Sequence, residues 1–530
     1  MKSHLQRLFL CLVAISVFGI TASAPPTWAK GRSYEMCQDE KVQPLPPPGP
    51  VKHHGVLSAI SAIAHKVKMT LGEINTYLAA EDALKDGPSY ESWKHILGRL
   101  LNKVVTPSLF PPREAGQPSL LGDEGYRREM GALFAPNVEF TAGNKVELLV
   151  NGCAAFAKRE ELIENAQQSI HIFVWAIYDD ETGREFSDWL SAAKNRRIAE
   201  GGDLDIKIIV DGNLAKELGT RTVLSDIENL TFSNGSRIQV VKLHDTRDPF
   251  FGMHRKLMIV DGRQVVMGGM NVGNIYSHLG PDPSGLWRDT DAYVTGPVVN
   301  QAEAAFVSEW NEQEHSGEKM TYAPAQFAEN PGSSLSMIID HQPLRDDNTH
   351  QGIMKAFYGA TRSIDIENAY VILDLVNERA LTDALKRGVK VRILSNSKES
   401  IDEPVMTVPI LQSLARLQAQ GAQVFLKKNY PQSQTLLSKG PESTTLHSKF
   451  LIVDGVFTMI GSYNFHPRSY RYEREVVLAS FDENLASQME AVFESDIIPE
   501  RAVDPSASSL KAVKASLLNK IIKMGFFDQL

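Results

Sequence analysis

Nine residues occur twice with their chemically able letters unchanged: HRKLMIVDG at 254–262 and HSKFLIVDG at 447–455. In an extended segment side chains alternate faces, so His254 projects with Lys256, and His447 with Lys449. Asp261-Gly262 and Asp454-Gly455 are favoured tight turns into returning strands, QVVMGG and FTMIGS, which are followed by Asn271 and Asn464. Each hairpin thus brings an asparagine back toward its own histidine and lysine.

Two imidazoles, two ammonium groups and two amides suit a phosphodiester. Ammonium and amide donors make a pocket for the non-bridging oxygens and for the extra charge of a five-coordinate intermediate. One neutral imidazole attacks phosphorus, the other, protonated, donates to the leaving oxygen, and the roles reverse in the second half-reaction. The lysines supply the positive charge, so this reading calls for no metal and no cofactor. Histidines in opposite protonation states need carboxylate partners. Asp289 in WRDTDAYVTGP and Glu473 or Glu475 in YEREVVL are the candidates. Asp261 and Asp454 count as the third letter of the repeated catalytic motif, although a tight turn favours a structural part for both.

The elements that carry these residues are themselves repeated. SIHIFVWAI (169–177), GREFSDWLSAAKNRR (183–197) and LDIKIIVDG (204–212) read as strand, helix, strand; SIDIENAYVIL (363–373), NERALTDALKRG (377–388) and VKVRILSNS (389–397) repeat the order. Ser363 follows Ser169 by 194 positions, and His447 follows His254 by 193, as Asn464 follows Asn271. One duplication on this scale means two whole α/β domains related by pseudo-twofold symmetry, whereas a solenoid would repeat every 20–50 residues or so. The expected division is a signal peptide at 1–29, a Pro-rich linker and helical extension at 30–144, a first α/β domain at 145–330, a second at 331–504, and an amphipathic helix at 505–530.

At 530 residues the chain has a globular balance, with 43% hydrophobic and 22% charged residues. Its net charge of −9 argues against a protein that grips nucleic acid without sequence preference. Lys2, Arg7, the apolar run Leu8 to Ile20 and Ala22-Ser23-Ala24 have the order of a secretory signal. Cleavage after Ala24 or Ala29 and an uncleaved anchor all fit, and an exported protein, periplasmic or secreted, is expected. Cys37 and Cys153 allow either one disulfide or two buried thiols. Leu510, Val513, Leu517, Ile521 and Met524 form one stripe near the C-terminus, which fits either a helix lying on a membrane or one packed on its own domain.

His-x-Lys-x4-Asp, six residues, Gly-Gly or Gly-Ser, x, Asn, present twice, resembles the phospholipase D superfamily. The likeness runs over roughly 145–500, and GMHRKLMIVDGRQVVMGGMNVGNIY, WRDTDAYVTGPVV, RGVKVRILSNS and GSYNFHPRSYRYERE are similar to the bacterial phospholipase and cardiolipin synthase branch. The resemblance implies duplicated α/β sandwich domains and a phosphohistidine intermediate. It casts His254 as nucleophile and His447 as general acid, and has Lys256, Lys449, Asn271 and Asn464 hold the phosphate. Asp289 orients the histidine of the opposite half. Glu475 matches the branch's glutamate, while Glu473 stands where cardiolipin synthases usually carry asparagine. Arg468 and Ser469 match a family feature that fits either a phosphate contact or a turn.

The expected activity is cleavage or exchange of a phospholipid head group. Water as acceptor makes a phospholipase D, and a lipid alcohol makes a cardiolipin synthase-like transferase. A superfamily nuclease is the alternative class, and duplication with net acidity counts against it. The expected partner is a phospholipid, with the membrane surface met through the C-terminal helix, no nucleic acid, and a monomeric chain.

Overall fold

The computed structural model describes residues 117–505 apart from short internal stretches, the longest of them at 429–444. The expected signal peptide, most of the Pro-rich linker and helical extension, and the C-terminal stripe lie outside the described residues. Among those described, no helix is long and apolar enough to cross a membrane.

Strands of the first half are β1 (Thr141–Val150), β2 (Ser169–Val174), β3 (Asp205–Asp211), β4 (Gln239–Leu243), β5 (Gly252–Met253), β6 (Leu257–Val260), β7 (Gln264–Gly268) and β8 (Thr290–Thr295). The second half has β9 (Ser334–His341), β10 (Ser363–Asn368), β11 (Lys390–Asn396), β12 (Gln423–Lys427), β13 (Lys449–Val453), β14 (Phe457–Gly461), β15 (Glu473–Phe481) and β16 (Ala502–Val503). The order β1-β8-β7-β6-β2-β3-β4 returns as β9-β15-β14-β13-β10-β11-β12, and antiparallel pairing of β1 with β9 joins the two sheets. β2, β3 and β4 run parallel, linked by helices Glu181–Ala199 and Leu218–Asn229, as β10, β11 and β12 are by Leu375–Lys386 and Thr407–Gln418. This is the duplicated α/β sandwich expected from the sequence.

β6 and β13 are buried on both faces, which is why LMIV and FLIV read as unbroken apolar runs. Each turns back through an Asp-Gly pair with positive φ at both residues, 54° and 61° at Asp261-Gly262, 55° and 64° at Asp454-Gly455. The left-handed pair forms a tight turn closed by the Arg263 amide on the Val260 carbonyl at 3.0 Å and the Val456 amide on the Val453 carbonyl at 3.2 Å, inside three-residue loops that pair Val260 with Gln264 and Val453 with Phe457.

The sheets enclose a shared core. Phe173, Met253, Phe306 and Trp310 of the first half meet Phe450, Ile460 and Phe493 of the second, so neither half buries this surface alone. Separate clusters lie on the outer faces, Phe156, Phe186 and Leu190 in the first half, Phe357, Ile366 and Leu414 in the second. The described end of the extension, helix Glu124–Phe134, belongs to the second half's cluster through Met130 and Phe134. Asp123 caps that helix by accepting the Tyr126 amide, and the Tyr126 hydroxyl donates to the Lys355 carbonyl at 2.6 Å.

Candidate active site

His254 and His447 occupy the short extended segments just ahead of β6 and β13, where the halves cross. β5 lies parallel to the start of β15, and the His254 amide donates to the Arg474 carbonyl at 2.9 Å. Around the pseudo-twofold, the His447 amide donates to the Arg288 carbonyl at 2.7 Å. Each histidine is therefore fixed by backbone of the opposite half.

The side chains cross over in the same way. His254 Nδ1 lies 3.0 Å from Glu475 Oε2, and His447 Nδ1 lies 2.8 Å from Asp289 Oδ2. Glu473 stands farther from His254, at 3.9 Å, and is occupied by Arg468 at 2.7 Å and Ser469 at 3.2 Å. Geometry thus separates the two glutamates that the sequence left as alternatives. Glu475 also receives the hydroxyls of Ser462 at 2.5 Å and Ser469 at 2.6 Å. Asp289 has the Thr290 amide at 2.8 Å.

The two lysines repeat one posture, each ammonium donating to the carbonyl of its own histidine, 2.7 Å for Lys256 and 2.5 Å for Lys449. The asparagines differ. Asn271 accepts the Ala176 amide and donates to the Tyr276 hydroxyl at 3.0 Å, whereas the buried Asn464 Oδ1 lacks a hydrogen-bond partner among the described residues. Aromatic rings wall both imidazoles, Trp175 at 5.7 Å from His254, and Trp287 at 5.1 Å and Tyr276 at 5.4 Å from His447.

Burial dominates the electrostatics, because it penalises whichever form is charged. Burial, then Lys256, holds His254 well below the ordinary imidazole range. Burial and Lys449 bring His447 down to about 4 against the pull of Asp289. Burial thus disfavours the charged form of both rings. Burial lowers Lys256 to about 7 and lowers Lys449 as well. Burial, then the neighbouring Glu473, pushes Glu475 up to about 8. Burial also opposes ionisation of Asp289, which His447 and Lys449 nonetheless hold below the usual carboxylate range. An entering phosphate anion would favour the charged forms of both lysines and of His447, whose partner Asp289 is held in its charged form.

Asp261 and Asp454, counted with the catalytic letters of the motif, are not brought into this site. The Asp261 carboxylate accepts the amides of Gln167, Gln168 and Ser169 at 2.7–3.0 Å. Asp454 does the same for Thr361, Arg362 and Ser363. Each tethers the far end of its hairpin to the chain entering β2 or β10, and charge-assisted bonds of this kind contribute about 1.5–3 kcal/mol each. The aspartate is repeated because the turn is repeated.

Ser462 was not singled out by sequence reasoning, although a signal existed. It is the serine of the Gly-Ser that follows the second hairpin, and its counterpart is Gly269. A Cβ at Gly269 would come within 2.6 Å of an Asp289 carboxylate oxygen, so the shorter acid demands glycine there while the longer Glu475 is met by a hydroxyl.

His254, Glu473 and Glu475 place three ligand atoms within 4.8 Å of one another, the one such group among the described residues. A cation there would have to displace Arg468 and the hydroxyls of Ser462 and Ser469.

Comparison with known proteins follows the same duplication. The family described as cardiolipin synthase, PLD-like domain, matches residues 160–276 and again 353–497. Cardiolipin synthase 1 of Staphylococcus epidermidis is 29% identical over 370 residues, 67% of this chain and 68% of the relative. Cardiolipin synthase A of Pseudomonas syringae is 29% identical over 379 residues, covering 70% and 72%, and the major cardiolipin synthase of Bacillus subtilis is 27% identical over 369, covering 68% and 70%. Among solved structures, phosphatidylserine synthase of Haemophilus influenzae shares the fold, with a TM-score of 0.58 and 16% identity over 75% of this chain and 96% of that one.

Proposed function

The chain belongs to the phospholipase D superfamily, in its cardiolipin synthase-like branch, and from that premise we propose that it is a phosphatidyltransferase that exchanges phospholipid head groups for a lipid alcohol. The observation that carries this reading is the crossed pair of Nδ1 contacts, His254 to Glu475 and His447 to Asp289. With each Nδ1 engaged, Nε2 is the nitrogen left for chemistry on both rings.

In the first half-reaction neutral His254 attacks phosphorus through Nε2. The phosphorus–oxygen bond to the departing alcohol breaks, and protonated His447 gives that oxygen its proton. Lys256 and Lys449 bear the charge that builds on the non-bridging oxygens. A second alcohol then loses its proton to His447, its oxygen attacks phosphorus, and the phosphorus–nitrogen bond to His254 breaks. Lipid alcohol as acceptor yields a new phospholipid; water yields phosphatidic acid. The relatives, named as cardiolipin synthases, favour the lipid alcohol.

Incubating the purified chain with phosphatidylglycerol vesicles, with and without a chelator and with single-stranded DNA in parallel, tests this. The expected result is a diphosphatidyl product with release of glycerol, unaffected by chelation. Phosphatidic acid as sole lipid product would replace transfer by hydrolysis. DNA cleavage without lipid turnover would sink both.

A further inference from the structure

Behind the site lies a second set of charges that the mechanism does not use. Arg474 sits between Glu473 and Glu475, and strand alternation turns its side chain to the opposite face. There it donates to Glu309, on helix Val299–Glu312 of the other half. Arg255, between His254 and Lys256, reaches the same Glu309 oxygen at 3.0 Å. Glu309 is fully buried, so one carboxylate grips both the segment carrying His254 and the strand carrying its partner Glu475.

The pseudo-twofold repeats the device. Arg288, which precedes Asp289, donates through Nε to Asp496 at 2.8 Å, at the end of helix Glu483–Asp496 of the opposite half. It also donates to the Asp289 carbonyl at 2.6 Å, to Thr290 at 2.7 Å, and to Ser448 at 3.4 Å, next to His447. These are the two arginines whose carbonyls receive the histidine amides.

We infer that Glu309 and Asp496 are positioning residues, each clasping from its own half the arginine beside the acid that the other half supplies, and so setting how closely Glu475 meets His254 and Asp289 meets His447. The inference rests on the proposed reading that these two histidines are the reacting groups. Arg255 makes the first clasp a three-way junction, with Asp340 2.5 Å from its second guanidinium nitrogen. Arg255 and Arg474 hold Glu309 ionised although burial opposes it.

Glu309→Gln and Asp496→Asn in the full chain separate the two clasps. With phosphatidylglycerol vesicles as substrate, each is expected to lower kcat by about ten- to a hundredfold with KM within about twofold, the size of effect that small misplacement of a reacting group produces. Nitrogen-15 NMR of the histidine rings should show the His254 Nδ1 signal displaced in Glu309→Gln with His447 unmoved, and the reverse in Asp496→Asn. Combined with Glu475→Gln, Glu309→Gln should cost little further, because both act through one contact. Should Glu309→Gln fail to fold, Glu309→Asp keeps the charge on a shorter arm and should give the same displacement at smaller size. Unchanged kcat, equal displacement of both rings, or losses that simply multiply with Glu475→Gln would overturn the inference. The NMR readout needs no turnover, so a wild-type chain inactive on lipid would refute the functional reading while leaving the clasp to be judged by its ring signals.

Discussion

His254 stands in a crowded neighbourhood and His447 in a spare one. Around the first are Glu475, Glu473, Arg468 and the hydroxyls of Ser462 and Ser469; around the second are Asp289, the Thr290 amide and two aromatic walls. The strand order is the same in both halves, and the acids that reach the rings differ in side-chain length. A short acid next to Gly269 leaves room for one partner, and a long acid needs Ser462 to fill the gap. Two rings with unequal carboxylate support suit a division of labour, one attacking and one moving protons.

The largest test of that division removes each ring. His254→Ala and His447→Ala should both lose at least ~10⁴-fold in kcat on phosphatidylglycerol. A phosphodiester with a p-nitrophenolate leaving group needs no proton donor, so it should restore the first step, seen as a burst, in His447→Ala alone. A burst in His254→Ala instead would reverse the assignment.

Next in size are the orienting acids. Asp289→Asn should cost about 10³–10⁴-fold, since it takes from His447 the carboxylate that its Nδ1 meets at 2.8 Å and disfavours the right tautomer. Glu475→Gln should cost tenfold less or thereabouts, because Glu473 remains 3.9 Å from His254. Equal losses would mean that the second carboxylate gives no cover.

Much of this was legible in the sequence, for identifiable reasons. The hairpins announce themselves through an apolar run that ends in the Asp-Gly turn, and the parallel strands through apolar runs at a constant offset. The predicted strand at 204–212 is realised at Asp205–Asp211, the helix at 183–197 as Glu181–Ala199. What could not be read is what depends on contact between distant segments. Nothing local says that Glu475 reaches His254 and Glu473 does not, or that Asp261 faces the entry to β2. The clasp did leave a trace. Glu309 falls on the apolar stripe of Ala302, Phe306 and Trp310, and Asp496 on that of Met489 and Phe493, and a charge on a buried helical face asks for a partner.

A smaller effect should come from Glu473. Its negative charge is the second cause, after burial, that lifts Glu475 to about 8. Glu473→Gln removes that repulsion, Glu475 ionises more readily, and the limb of the kcat/KM profile that follows its ionisation moves to lower pH. Above pH 8.5, activity should stay within about threefold of wild type, since the His254 contact is kept. A limb that stays put would mean that Glu475 does not control it.

The smallest effect concerns His466, which belongs to the crowded side, its counterpart in the first half being Gly273. Its Nδ1 accepts the Ser469 amide at 3.0 Å and so caps helix Pro467–Arg471. Burial lowers the ring to about 4. Between pH 6.5 and 4 the unfolded chain therefore takes up a proton that the folded chain refuses, and this stabilising contribution, complete above pH 6.5, drains away as pH falls, by about 1.4 kcal/mol per unit. His466→Asn keeps a good capping oxygen and removes the titration. Urea unfolding should find the variant and the parent within about 1 kcal/mol at pH 7.5, and the variant gaining about 2 kcal/mol on the parent by pH 5. A gap that does not change with pH would show that His466 is protonated as readily in the folded chain as in the unfolded one, and the crowding around His254 would then be softer than the packing implies.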